Sequence, residues 1–167
     1  MAYEDRTYHG VQNGPENPPR KGEEPQPASI FVEKPEFGPT ERREVTVLYE
    51  LRPEDPERVG GFGWGYNGHG TSRAAAAILA DALDLTDPRE PGDLDKVGIA
   101  MTGWPQDDVL VGMREDFCDD VLSQCCDQWR LRRGVVLRWA RAWYLQQGID
   151  ELPDALQELS PLASNGA

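Results

Sequence analysis

Apolar positions along the chain fall into two spacings, and the spacing assigns the elements. From Glu44 to Leu51, β-branched and aromatic residues partly alternate with polar ones, which predicts a strand ended by Pro53 and Pro56. Phe62-Gly63-Trp64-Gly65-Tyr66 predicts a second, glycine-rich strand with its three rings on one face. The period then lengthens. Thr71-Ser72 offers an N-cap for a helix through Arg73, the alanine run, Ile78, Leu79 and Leu83. Phe117, Val121, Leu122 and Cys125 mark a helix over about 109–126, and Val136, Leu137, Ala140, Trp143 and Tyr144 mark another over 133–147, stopped by Gly148. A short helix near 152–159 precedes a frayed end. Val97-Gly98-Ile99-Ala100-Met101 is the one plausible buried piece of the irregular stretch 84–108. The pattern predicts an α+β fold: a small antiparallel sheet of two to four strands packed against about three helices.

The length, 167 residues, suits one ordinary domain. Hydrophobic residues make up only 38%, with 14 Pro and 17 Gly, so part of the chain is expected to lie outside the core. Residues 1–43 read as a mostly flexible Pro-rich lead with room for a short first strand at 7–11, residues 44–148 as the α+β domain, and 149–167 as a short helix and tail. Within the lead, Ile30-Phe31-Val32 is an apolar patch suited to an isolated strand or a docking motif. No signal peptide is legible after Met1, and the longest apolar run, Ala74 to Ala80, is far shorter than the ~20 residues a bilayer requires. A cytoplasmic location is expected.

The net charge of −13 opposes direct binding to nucleic acid or anionic membranes. Cys118, Cys125 and Cys126 share one predicted helix, an odd count that resembles neither a disulfide framework nor a zinc site; most are expected as small core residues. No cofactor or metal is expected. His9 and His69 are the only histidines, and no nucleophile–base pair is legible.

Two constellations are candidates for chemistry. The first is the loop that opens the first helix, with Gly65, Gly68, His69, Gly70, Thr71, Ser72 and Arg73 as candidate ligand residues. Closely spaced glycines let backbone N–H groups face a nucleotide or other small anion at a helix N-terminus, where the dipole favours negative charge. The loop lacks the Lys-Ser/Thr ending of a phosphate-binding P-loop, and a tight strand-to-helix turn explains the same residues. The second is the acid-rich stretch 81–120, with twelve acids against Arg89, Lys96 and Arg114, a net of −9. Asp107, Asp108, Glu115, Asp116, Asp119 and Asp120 are candidate contacts for a protein partner with a basic surface; a merely solvated face is the plainer reading. Arg130, Arg132, Arg133, Arg138 and Arg141, interleaved with Trp129, Trp139 and Trp143, form a basic strip expected to pair with these acids.

Tyr8-His9-Gly10, Val45-Thr46-Val47, Phe62-Gly63-Trp64-Gly65-Tyr66-Asn67-Gly68-His69-Gly70 leading into an Ala/Leu-rich helix, Phe117, Trp129-Arg130-Leu131 and Trp139 occur here in order. This series resembles an uncharacterised domain family of bacteria and their phages and plasmids, and the likeness spans roughly 7–11 and 44–145. The long Pro-rich insertion after the first strand and the stretch 85–108 depart from it. The resemblance implies a fold and a mobile-element setting, and no activity. Acidity and this setting together lead to the expectation of a non-enzymatic accessory protein of a phage or mobile element. It would bind a host or phage protein, as an inhibitor of host defence or a DNA mimic. An anion-binding domain using residues 65–73 and a structural virion component are the alternatives.

Overall fold

The computed structural model describes residues 6–25, 27–35, 43–48, 62–66, 68–84 and 108–157. Four strands form one antiparallel sheet: β1 (Thr7–Val11), β2 (Ser29–Pro35), β3 (Arg43–Val47) and β4 (Gln128–Arg132), in the order β3-β2-β1-β4. The helices are α1 (His69–Ala82), α2 (Asp108–Asp120), α3 (Arg133–Gln146) and the short α4 (Asp154–Gln157), with a single 3-10 turn at Leu122–Gln124. The architecture is α+β.

The strand period sorts the sheet into a buried and an outer face. Tyr8 sits between Val32 and Leu131, and Gly10 between Ile30 and Trp129. Tyr8, Ile30 and Val32 are buried, whereas Val45 and Val47 of the edge strand β3 are about half exposed. Gly10 has a steric reason to lack a side chain, because a Cβ there would run into the indole of Trp129. That indole meets Trp64 edge-on at 5.3 Å. Both middle strands, β1 and β2, come from residues ahead of 44.

Residues 12–17 are pinned by Asp127, a buried residue whose Oδ2 accepts the backbone N–H groups of Glu16 (2.9 Å) and Asn17 (2.6 Å). Glu16 in turn accepts the Asp127 N–H at 3.3 Å.

Several sequence expectations are corrected. Residues 62–66 are not a strand; they run as irregular backbone ending in a bend at 65–66, with Trp64 buried, Phe62 half-buried and Tyr66 exposed. The helix behind them begins at His69, with Gly68 at the N-cap and no side-chain cap, so Thr71-Ser72 lie inside the first turn. The helix expected to run to Cys126 ends at Asp120, which leaves Cys125 and Cys126 after the 3-10 turn; Cys118 is buried, Cys125 half-buried and Cys126 exposed. Strand β4 was not expected, although Gln128-Trp129-Arg130-Leu131-Arg132 alternates polar and apolar residues as a strand does; the sequence reading places its arginines in the basic strip instead. Residues 97–101 lie outside the described residues.

The ends of α1 and α3 have local causes. Gly148 (φ 71) lets Ile149 N–H reach Tyr144 O and its own N–H reach Leu145 O, the paired bonds of a Schellman C-cap. At α1, Asp84 takes the left-handed position (φ 57), and its N–H reaches Asp81 O.

Candidate functional site

The glycine loop has a different use from the one its spacing suggests. Cβ atoms on Gly63, Gly68 or Gly70 would all strike the Tyr66 side chain, its ring at 2.9 Å from Gly68 and its hydroxyl at 2.8 Å from Gly70. The glycines therefore make room for that ring, which lies over the opening of α1 with the residue 52% exposed. Gly65 (φ 82) needs the left-handed conformation, and its N–H donates to Leu122 O at 2.9 Å. Thr71 is buried and donates its hydroxyl to Tyr66 O at 2.6 Å. Ser72 and Arg73 are half-buried, and Ser72 Oγ lies 4.0 Å from the Cys118 thiol, which burial pushes upward in pKa. His69 is the first helical residue; its side chain lies outside the described residues.

Of the acid candidates, Asp107 lies outside the described residues and Asp108 opens α2 without a described side chain. Glu115, Asp116, Asp119 and Asp120 are all exposed, and their spacing puts them on one face of two helical turns. Two of them are fixed. Asp116 accepts the Trp143 indole N–H at 2.7 Å, and Asp120 accepts that of Trp139 at 3.1 Å. Phe117, beneath the row, meets Trp139 edge-on at 4.9 Å. A carboxylate held by an indole loses rotamer freedom, so a partner meeting it pays less ordering entropy.

The basic strip divides. Arg133 turns inward, its Nε donating to Ala82 O (2.9 Å) and a terminal nitrogen to Asp84 (2.8 Å). Arg130 pairs with Glu33 of the sheet at 3.2 Å. The expected pairing with the acid-rich stretch therefore holds for Arg133 through Asp84.

Sequence reasoning missed the polar cluster beneath α1. Arg6 donates to the backbone oxygen (3.0 Å) and carboxylate (2.9 Å) of Asp81 and to the Asp84 carboxylate (2.5 Å). Tyr8 donates its hydroxyl to Asp81 Oδ2 at 2.6 Å. The guanidinium of Arg6 is held above its usual pKa by Asp81, Tyr8 and Asp84, which outweigh burial. Burial is the leading cause that raises Tyr8 well above a normal phenol and Asp81 above the usual carboxylate range, and Arg6 opposes it at both. Asp81 Oδ1 is buried without a hydrogen-bond partner. The cluster joins β1, the end of α1 and the start of α3, and its donors occupy α1's last carbonyls. A signal for it existed: Asp81 falls in phase with Ala74, Ala77 and Ile78 on the face that must be buried.

Among the described residues no three His, Cys, Asp or Glu side chains are grouped to hold a metal ion, and no helix is long and apolar enough to cross a membrane. Comparison with protein families, with curated proteins and with solved structures finds no match to this chain.

Proposed function

We propose that this protein works by binding rather than by catalysis, as an acidic accessory protein that receives a basic segment of a partner protein on α2. The observation that carries this reading is the exposed row Glu115, Asp116, Asp119 and Asp120, two of whose carboxylates are held in place by the indoles of α3. In the phage or mobile-element setting that the sequence resemblance implies, the partner is a host or phage protein. A basic surface would find here a line of acids with two of its carboxylates held in place, which is how the row would serve an inhibitor that imitates DNA.

The test compares wild type with a Glu115→Gln/Asp119→Asn variant, which leaves the two indole bonds intact. Each is used to capture proteins from nuclease-treated host lysate, and each is titrated with an oligo-arginine peptide. Wild type should retain a partner that elutes as salt rises and should bind the peptide, and the folded variant should lose both. Equal capture and equal peptide binding by the two proteins would sink the reading.

A further inference from the structure

Acids outnumber bases 30 to 17 in this chain, so the arginines have an excess of carboxylates to pair with. Arg138 and Arg141 nevertheless make no ion pair with any described residue. Both belong to α3, which contains no acid. Beside them, Val135 is 49% and Leu145 63% exposed, and Ala142 is exposed as well. Positions 135, 138, 142 and 145 recur every three or four residues and so form one stripe.

This stripe is the immediate neighbour of the acid row. The bonds from Trp139 to Asp120 and from Trp143 to Asp116 bind α2 and α3 side by side. Helical spacing then fixes the order across the surface: the carboxylates of α2, half-buried Trp139, Val135 and Ala142, and lastly Arg138, Leu145 and Arg141. A surface with a negative strip, an apolar middle and a positive rim is its own complement under a half-turn.

We propose that this surface docks a second copy of the chain. In the resulting two-fold dimer the α2 carboxylates of each protomer face Arg138 and Arg141 of the other, with Val135 and Trp139 at the seam. The proposal rests on the reading of α2 as a protein-docking face and names its first occupant. The two copies repel at long range, but that repulsion is screened beyond roughly 8 Å at physiological salt, whereas facing ion pairs act well inside that distance.

The test is analytical ultracentrifugation of three proteins: wild type, an acid-only variant (Arg138→Glu/Arg141→Glu) and a variant with two acids of the row made basic (Glu115→Arg/Asp119→Arg). Wild type should dimerise, each variant alone should be monomeric, and an equimolar mixture of the two should form a heterodimer. Should Arg141→Glu disturb folding by circular dichroism, Arg138→Glu alone serves as the acid-only variant. A monomeric wild type at several hundred micromolar together with no association in the mixture overturns the proposal, as does a dimer unaffected by either charge set. If wild type stays monomeric yet binds the oligo-arginine peptide, the dimer fails and the docking face stands. If it does neither, both fail.

Discussion

Removing Asp81 tests whether the buried cluster beneath α1 fastens the sheet to the helices. In Asp81→Ala the Tyr8 hydroxyl, fully buried, loses its acceptor, while Arg6 loses the carboxylate of residue 81 and keeps that residue's backbone oxygen and Asp84. An orphaned buried hydroxyl costs about 1–3 kcal/mol, and breaking a buried ion pair about 3–5 kcal/mol. Arg6 is only partly abandoned, and the partnerless Asp81 Oδ1 is removed along with the rest, so the low end applies. We expect a loss of about 3 kcal/mol, or roughly 6–12 °C in Tm for a chain of this size. Urea unfolding followed by tryptophan fluorescence reads it, and Tyr8→Phe supplies the control. Alone, Tyr8→Phe should cost about 1 kcal/mol; in the Asp81→Ala background it should cost nothing or stabilise, because it deletes the orphan. A loss below about 1 kcal/mol for Asp81→Ala, or additive effects of the two changes, would refute the reasoning.

The same residue sets a pH dependence. Burial raises the folded-state pKa of Asp81 above its unfolded value, so its contribution is fully present at acid pH and is lost as pH rises through the folded value. Asp81→Asn cannot titrate, so its penalty relative to wild type should shrink from about pH 4 towards neutrality; a penalty that grows over that window contradicts the assigned cause. Gly63→Ala brings a methyl group against the Tyr66 hydroxyl and, at 3.1 Å, the ring carbon that bears it, so Tyr66→Phe should relieve it in part, whereas Gly70→Ala also meets the Gly63 backbone at 3.1 Å and should not be rescued. Thermal melts of the four variants decide this. Asp127→Ala removes the carboxylate that accepts the Glu16 N–H, leaves the Asn17 N–H its longer bond to Gly14 O (3.2 Å), and should cost about 2 kcal/mol while raising hydrogen exchange at residues 12–17 ahead of the rest of the protein. Unchanged exchange there would mean that the segment is held by something else.

What the sequence determined by itself was whatever rests on local spacing. The α1 register follows from the alanine run, α3 and its end from a 3.6-residue stripe closed by Gly148, and the β3 strand from Val45-Thr46-Val47, because a buried face imposes its own period on the chain. The acid row was legible too, since positions four apart on α2 share a face wherever the helix lies. Tertiary structure decided everything that depends on which residues meet. Phe62, Trp64 and Tyr66 have the period of a strand, yet among the described residues no strand takes up their backbone groups; Trp64 turns instead to Trp129, and Tyr66 folds over its own glycines. Ile30-Phe31-Val32 became a middle strand because β1 and β3 flank it in register, which no local pattern announces. Arg133 and Arg138 look alike in sequence, but one is drawn inward by Asp84 and the other left on the surface. The reason is common to all three: spacing fixes which face a side chain shares, while its partner is fixed only when chain segments separated by tens of residues are brought into contact.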